Sequence, residues 1–312
     1  MNTNSSPSQL KITDMRIVNL KGAPMRSTLI RLDTNQGIYG LGEVRDGASF
    51  YYALMLKRII LGENPCNVDR IFRMIKQFGG HARQAGGVCA IEMALMDLAG
   101  KAYGVPAYQL AGGKFRDKIR CYSDTDSSPD AEEMGKRLKG RMDAGFTFLK
   151  MDIGVRLIQD IPGALSYPQG MLETNRVMHP FTGIQFTNKG IDALVDYVST
   201  VRDIVGYEIP LAADHFGHVN VESCIRLARA LEPFSLAWLE DMIPWQFEDQ
   251  WVRLKNATSV PVCTGEDIYL LENFKPLIDN KAVSIIHPDL ATSGGILETK
   301  KIGDLAQEHG IA

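Results

Sequence analysis

The spacing of hydrophobic and polar positions changes after the first third of the chain, which predicts two domains. In the first part, the runs KITDMRIVNL and STLIRLDTNQGIYGLGEVR are rich in β-branched residues and contain an NQG turn, a pattern typical of an antiparallel β-meander. Helical spacing follows in residues 48–62, 67–78 and 86–105. Strands followed by helices predict an α+β domain over residues 10–115, and the polar residues 1–9 are expected to be mobile.

From residue 116 onward, short apolar runs alternate with helical stretches. The six predicted strands cover residues 119–123, 146–154, 209–217, 236–244, 261–269 and 283–290. The predicted helices lie near residues 130–144, 190–205, 220–232, 246–256, 272–280 and 296–309. Successive βα units of this kind predict a parallel sheet. Because no GxGxxG follows the first strand, we predict a closed (β/α) barrel over residues 116–312 and not a doubly wound sheet.

The predicted barrel departs from a regular repeat in two places. Six strands cannot close a barrel and would leave unpaired edges, so we expect the polypeptide to continue beyond Ala312 by at least ~50 residues. Residues 155–188 are predicted to form a long loop at the carboxyl end of a strand, and loops of that length are usually functional lids or disordered. We hypothesise that this insertion shapes specificity or contacts between the subunits of a homo-oligomer.

Composition excludes several classes of protein. The 312 residues include 34 basic and 37 acidic side chains, so no surplus of positive charge is present to bind nucleic acid. No apolar run approaches the ~18–20 residues of a membrane span, and the polar start MNTNSSPSQ lacks the apolar core of a secretory signal. The five cysteines are scattered and never form a CxxC pair, which predicts reduced thiols in a cytoplasmic protein.

Acidic residues end neighbouring strands of the predicted barrel at a constant spacing. Asp214, Glu240 and Glu266 follow one another at intervals of 26 residues, one βα unit each, so they should meet at the carboxyl edge where barrel active sites lie. Three converging carboxylates repel one another, and a hard divalent cation, Mg²⁺ or Mn²⁺, resolves that conflict. For a single acid, a solvated strand end or a helix N-cap is the alternative.

Several motifs together resemble one family. Over essentially its whole length, the chain resembles the mandelate racemase/muconate-lactonizing branch of the enolase superfamily. The resemblance lies in the segment AIEMALMDLAGKAYGVPAYQLAGGKFRDKI, in the strand ends AADHFG, WLEDMIP and TGEDIY in that order, and in the later HPDLATSGGILE. The resemblance implies a modified (β/α)7β TIM barrel with an N-terminal α+β capping domain. It also implies one Mg²⁺ held by Asp214, Glu240 and Glu266, and removal of a proton α to the carboxylate of a small-molecule substrate.

The catalytic base is less clearly indicated than the metal ligands. The family often carries Lys-x-Lys at the end of the second strand, whereas this chain has Lys150 and Asp152. Lys150 is a candidate for holding the substrate carboxylate or tuning a neighbour, with a surface lysine as the alternative. Asp152 is a poor base unless it is desolvated. Asp289 resembles the aspartate that orients a catalytic histidine on the seventh strand, expected beyond Ala312; an N-cap is the alternative.

Histidines near the same edge are further candidates. His215 directly follows Asp214, and strand alternation would turn it away from the barrel interior, whereas His218 lies in the following loop and could reach inward. For each of these two, a non-catalytic polar role is the alternative. His287 precedes Asp289 by two residues, so it should point to the same side, one layer deeper, as a candidate for binding substrate or supporting the residues that do.

Three more side chains are candidates for substrate binding. Arg26 and Arg45 flank the meander loop and could hold a distal carboxylate or hydroxyl, with a surface position as the alternative. Trp245, at the mouth of the fourth strand, could line the pocket.

These observations favour a Mg²⁺-dependent acid-sugar dehydratase, a hydro-lyase that forms a 2-keto-3-deoxy acid. The loss of Lys-x-Lys and the histidines near the barrel mouth favour elimination with one base over racemisation. A racemase, epimerase or cycloisomerase of the same superfamily is the first alternative, and a non-catalytic protein that keeps the metal site is the second. A phosphate-binding barrel enzyme has no support, because no glycine-rich loop follows a barrel strand in the required place.

Overall fold

The computed structural model of this protein describes residues 5–312, except for 24, 169, 171, 173–182 and 215–218. The strands are β1 Ile12–Asn19, β2 Thr28–Thr34, β3 Tyr39–Val44, β4 Ser123–Asp124, β5 Leu149–Asp152, β6 Leu165–Ser166, β7 Gln185–Phe186, β8 Leu211–Asp214, β9 Leu239–Glu240, β10 Val262–Thr264 and β11 Ile285–Ile286. The α-helices are α1 Phe50–Met55, α2 Lys57–Ile60, α3 Val68–Ile75, α4 Gly86–Tyr103, α5 Ala107–Leu110, α6 Ala131–Asp143, α7 Val155–Ile158, α8 Asn188–Val205, α9 Val221–Leu231, α10 Glu248–Lys255, α11 Leu271–Asp279, α12 Leu290–Ser293 and α13 Ile296–Glu308.

The chain forms two compact units, described separately below. The first unit comprises Met1–Asp117, Gly265–Lys275 and Pro288–Glu308. The second unit comprises Lys118–Thr264, Pro276–His287 and His309–Ala312. Across the described ranges, no helix is both long and apolar enough to cross a bilayer.

The first unit contains the predicted antiparallel meander, with β2 paired to both β1 and β3. Helix α4 lies very close to this sheet, at positions where the strand has glycine. A Cβ on Gly40 would come within 2.1 Å of the carbonyl oxygen of Ala94, and a Cβ on Gly42 within 1.9 Å of that of Ala90. The predicted helix over residues 86–105 is confirmed, and nearly all of its surface is buried. The meander and the helix therefore share one core.

Two predicted features of the first unit differ in detail from the structure. The predicted helix over residues 48–62 is divided into α1 and α2 at Leu56, whose N–H bonds to Ala53 three residues earlier and tightens the turn. Of residues 1–9, for which we predicted mobility, residues 1–4 lie outside the described residues, and Pro7–Gln9 forms a short 3₁₀ helix followed by the buried Leu10.

The second unit contains a six-stranded parallel sheet with the order β4-β5-β8-β9-β10-β11. The predicted succession of strands and helices is confirmed, but the strands are shorter than predicted. Strand β9 ends at Glu240 because the next residue, Asp241, has φ +48°, a left-handed conformation that cannot continue a strand. The residues beyond each short strand are therefore free to form the connections at the carboxyl edge.

The prediction of one long loop over residues 155–188 is wrong for its described parts. Helix α7 starts the segment, and β6 pairs with β7 in an antiparallel ribbon. Phe186 in this ribbon is buried, and its N–H donates to Ser223 Oγ at 3.1 Å. The described parts of residues 155–188 therefore have their own secondary structure, a short helix followed by two paired strands.

Candidate active site

Three adjacent parallel strands bring polar side chains to one edge of the sheet in the second unit. The register aligns Asp152 with Asp214, and Ala213 with Leu239, so that β5, β8 and β9 end side by side. Lys150 lies two residues before Asp152 and therefore on the same face of β5. The local sequence thus places a lysine and two acids at neighbouring strand ends.

Lys150 lies between two of the predicted metal ligands. Its Nζ is 2.6 Å from Asp214 Oδ2 and 3.2 Å from Glu240 Oε2, and all three side chains are buried. Burial alone would lower the pKa of Lys150, but the negative charges of Asp214 and Glu240 raise it above its ordinary value. Lys150 is therefore a buried ammonium group, which excludes the alternative of a solvated strand-end lysine.

Glu240 is the most enclosed of the predicted ligands, with no exposed surface. Its Oε1 lies 2.7 Å from Nδ1 of His287, and its Oε2 accepts a hydrogen bond from Nε1 of Trp238 at 2.8 Å. Burial by itself would raise the pKa of Glu240, but the hydrogen bond and charge of His287, with the charge of Lys150, lower it to about 2. This buried carboxyl is therefore ionised.

His287 connects Glu240 to an aromatic side chain that the sequence did not indicate. Its Nε2 lies 2.9 Å from the hydroxyl of Tyr122, the residue before β4. Because an ionised carboxylate can only accept, Nδ1 of His287 carries the proton towards Glu240. The structure thus places His287 against Glu240, a predicted metal ligand.

A further acid joins this group. One oxygen each from Asp214, Glu240 and Asp241 lie within 4.8 Å of one another. Thr264 Oγ1 donates to Asp241 Oδ1 at 2.6 Å and helps to hold the left-handed backbone of Asp241. A left-handed non-glycine residue costs about 1–3 kcal/mol, and such strain is concentrated at functional sites. Sequence reasoning missed Asp241, although the adjacent acids in WLEDMIP were an available signal.

The other predicted metal ligand, Glu266, lies in the first unit within a network of ion pairs. Arg83 Nη2 donates to Glu266 Oε1 at 2.9 Å, and Arg45 Nη2 is 3.7 Å from Glu266 Oε2. Burial would lower the pKa of Arg83, but Asp267 and Glu266 raise it above its ordinary value. Arg83 was not predicted; the only signal was a basic residue in the glycine-flanked segment FGGHARQAGG.

Arg45 and Asp289, both predicted from the sequence, are paired in the first unit. Arg45 Nη1 donates to Asp289 Oδ2 at 2.7 Å, while Asp289 Oδ1 accepts from the N–H of Ala291 and caps α12. The structure therefore assigns Asp289 the N-cap position that we considered as an alternative, and leaves its other oxygen on Arg45.

The remaining predicted residues are more scattered. Asp152 and Trp245 are half-buried in the second unit. Arg26 is exposed in the first unit, where its guanidinium lies 5.6 Å from the centre of the Phe50 ring, a position that fits the surface alternative. His215 and His218 lie outside the described residues.

Comparisons with known proteins agree with the fold and the strand-end motifs. Residues 11–112 match the mandelate racemase / muconate lactonizing enzyme N-terminal domain, and residues 133–312 match the family described as enolase C-terminal domain-like. The chain is similar to the mandelate racemase/muconate lactonizing enzyme-like protein of Rubrobacter xylanophilus, with a TM-score of 0.81 and 29% identity over 96% of this chain and 77% of that one.

Two curated relatives are acid-sugar enzymes by name. D-xylonate dehydratase of Haloferax volcanii is 33% identical over 91% of this chain and 66% of its own length. D-galactonate dehydratase of Verminephrobacter eiseniae is 27% identical over 97% of this chain and 74% of its own length. The chain thus spans between about two thirds and three quarters of the length of these relatives.

The family matches bear on two of the predictions from sequence. The matched domains and the parallel sheet confirm the predicted fold class, a modified TIM barrel with an additional N-terminal domain. Members of this superfamily bind a divalent metal, and the carboxylates of the second unit form a cluster able to hold one. The chain therefore belongs to the enolase superfamily, in its mandelate racemase/muconate lactonizing branch.

Proposed function

We propose that this protein is a hydro-lyase that uses a divalent metal ion, Mg²⁺ or Mn²⁺, to dehydrate an acid sugar to a 2-keto-3-deoxy acid. The observation that carries the proposal is the buried pair of Asp214 and Glu240 at the carboxyl edge of the parallel sheet, with Asp241 beside it. The relatives named D-xylonate dehydratase and D-galactonate dehydratase support the reaction class and a small carboxylate substrate.

The side chains present fit a hard divalent cation. Asp214, Glu240 and Asp241 offer three carboxylates, while Lys150 contributes one positive charge against two of them. These four groups leave two negative charges in excess, which a divalent ion would neutralise, and carboxylate oxygens are the ligands that Mg²⁺ and Mn²⁺ prefer. We propose Asp214, Glu240 and Glu266 as the ligands, with Asp241 as the alternative to Glu266.

Removal of a proton next to a carboxylate creates a dianion, which needs concentrated positive charge. A bound metal ion would supply Lewis-acid charge at the substrate carboxylate. Lys150, held as an ammonium group, adds a positive charge at the same edge of the sheet. His287 and Trp238 hold both oxygens of Glu240 in place, which fixes the direction of its lone pairs.

We infer the proton acceptor from the family resemblance, by which Asp289 would orient a catalytic histidine. Arg45 holds the Asp289 carboxylate in one orientation. Asp152, His215 and His218 are the other predicted candidates. After proton removal, a general acid would donate a proton to the departing β-hydroxyl, and the enol product would tautomerise to the keto acid.

The proposal is tested by incubating this protein and Mg²⁺ with a panel of sugar acids in D₂O. We expect a 2-keto-3-deoxy acid to accumulate with loss of one water, detected as a semicarbazone and by NMR. Exchange of the α-proton without loss of water would contradict dehydration and favour a racemase or epimerase. Metal binding with no turnover of any acid would favour the non-catalytic alternative.

A further inference from the structure

A second set of potential metal ligands lies beside the carboxylate cluster and differs from it in chemistry. The ligand atoms of Glu240, Cys263 and His287 all lie within 4.8 Å of one another in the second unit. They come from neighbouring strands, because Cys263 on β10 pairs with Glu240 on one side and with Ile285 on the other. His287 is two residues beyond Ile285 and so faces the same side.

We propose that Glu240, Cys263 and His287 form a site for a thiophilic divalent cation such as Zn²⁺. A thiolate, an imidazole and a carboxylate are the three ligand types that Zn²⁺ takes in proteins, whereas Mg²⁺ and Mn²⁺ select oxygen. The all-oxygen group of Asp214, Glu240 and Asp241 and this mixed group therefore favour different metals, although they share Glu240.

The geometry allows coordination with small movements. Bonds of ~2.0–2.3 Å in a tetrahedral site place ligand atoms roughly 3.3–3.8 Å apart, so separations of up to 4.8 Å need to contract by about 1–1.5 Å at most. Nδ1 of His287 and Oε1 of Glu240, which are 2.7 Å apart, would move apart slightly. His287 is half-buried, whereas Cys263 and Glu240 are fully buried, so the ion would meet His287 first. A fourth position would remain for water, as in zinc sites with three protein ligands.

Protons can be redistributed without leaving an unpaired group. The Cys263 thiol loses its proton to solvent when sulfur binds the ion. Nδ1 of His287 gives up its proton to solvent when it binds the ion, and a proton on Nε2 donates to the Tyr122 hydroxyl 2.9 Å away. Tyr122 would thus orient the imidazole by accepting that hydrogen bond while the ion is bound.

Burial raises the pKa of the Cys263 thiol well above its ordinary value, so the thiol loses its proton only when a cation binds beside it. Cys263 packs in a buried cluster with Ala212 and Trp238. In such a dry site, electrostatic attraction between a cation and a thiolate is screened little. Because Glu240 belongs to both ligand sets, Zn²⁺ and Mg²⁺ should exclude each other, and Zn²⁺ should inhibit the reaction by competition with Mg²⁺; this consequence alone rests on the proposed function.

The test uses Co²⁺ as a spectroscopic probe of the full chain. We expect wild-type protein to show the near-ultraviolet charge-transfer band of a thiolate–cobalt bond. Cys263→Ser should lose that band, while Cys224→Ser, a control at an equally buried thiol of the second unit, should keep it. A wild-type protein that binds Co²⁺ without the band, or a Cys263→Ser protein that retains it, would overturn the proposal.

Competition between metals gives a second measurement that does not depend on turnover. Zn²⁺ affinity from equilibrium dialysis should fall roughly tenfold or more in Cys263→Ser, and added Mg²⁺ should weaken Zn²⁺ binding to the wild type. Zn²⁺ affinity that is equal in Cys263→Ser and Cys224→Ser would overturn the site. If Mg²⁺ fails to bind the wild type while the cobalt band is present, the proposed function fails and the thiophilic site stands.

Discussion

Two buried glutamates, one in each unit, have opposite protonation behaviour. Glu240 in the second unit has its pKa lowered to about 2, because His287 and Lys150 outweigh its burial. Glu92 on α4 in the first unit has its pKa raised to about 7, because burial outweighs the hydrogen bonds from the N–H groups of Ile296 and Leu297 at the start of α13. A cationic partner, and not the depth of burial, therefore decides whether a buried acid is charged.

The surroundings of these two glutamates suit them to different roles, Glu92 to joining structural elements and Glu240 to binding a cation. Glu92 fits against Gly295, where a Cβ would come within 2.1 Å of its carboxylate, so it joins two helices with little room for another group. Glu240 instead lies among a histidine, a lysine and two aspartates. An acid that is ionised at neutral pH in such surroundings is the kind of group that can hold a metal ion.

The largest expected effect comes from removing the cation beside Glu240. Lys150→Met would leave the buried carboxylates of Asp214 and Glu240 without their lysine partner, so we expect the free energy of unfolding without metal to fall by about 3–5 kcal/mol. Urea denaturation with and without Mg²⁺ measures this. If the carboxylates bind metal, Mg²⁺ should recover part of the loss; an unchanged stability in metal-free buffer would contradict the assigned role of Lys150.

The second prediction concerns Glu92 and pH. Its pKa in the folded state, about 7, lies above its ordinary value of 4.5, so the folded protein holds the proton more tightly than the unfolded chain. The contribution of Glu92 to stability is complete below pH 4.5 and is lost as pH rises to about 7, by up to about 3 kcal/mol.

Glu92→Gln removes this titration, so it should flatten the dependence of stability on pH between about 4.5 and 7. Urea denaturation at closely spaced pH values measures the slope in both proteins. An identical slope in the variant would show that Glu92 is not the group responsible, and that the contrast with Glu240 is wrong.

The third prediction concerns metal binding itself. If Asp214 and Glu240 hold Mg²⁺, an excess of 100 times Kd should stabilise the wild type by about 2.7 kcal/mol. Asp214→Asn or Glu240→Gln should abolish both this stabilisation and the heat of Mg²⁺ binding in calorimetry. Wild-type affinity in both variants would remove the metal from the proposal. Mg²⁺ affinity is measured in parallel for Asp241→Asn and Glu266→Gln, and the variant that loses affinity identifies the third ligand.

Much of the fold and part of the site followed from sequence patterns, for physical reasons that differ between residues. Helix α4 and the meander were predictable because their periodicity is local. Strand alternation drew attention to His287, but it could not reveal the contacts with Glu240 and Tyr122, which depend on sheet register. Asp241 was missed because a left-handed residue at a strand end leaves no periodic signal.

Arg83 tests the weakest ion pairs and the identity of the third ligand together. Its side chain is 34% exposed and contacts Asp46, Glu266 and Asp267, so solvent screens these pairs. Arg83→Met should lower the free energy of unfolding by about 1 kcal/mol or less per pair, far below the effect of Lys150→Met. Arg73→Met, which removes an exposed pair with Asp69, is the matched control for stability.

The same variant distinguishes Glu266 from Asp241 as a metal ligand. If Glu266 binds the metal, Arg83 competes for its carboxylate, and removing about 1 kcal/mol of ion pairing should raise Mg²⁺ affinity roughly fivefold. If Asp241 is the third ligand, calorimetry should give the same affinity for Arg83→Met and the wild type. A lower affinity would contradict both assignments, because it would mean that Arg83 helps to hold an acid in the orientation that the metal needs.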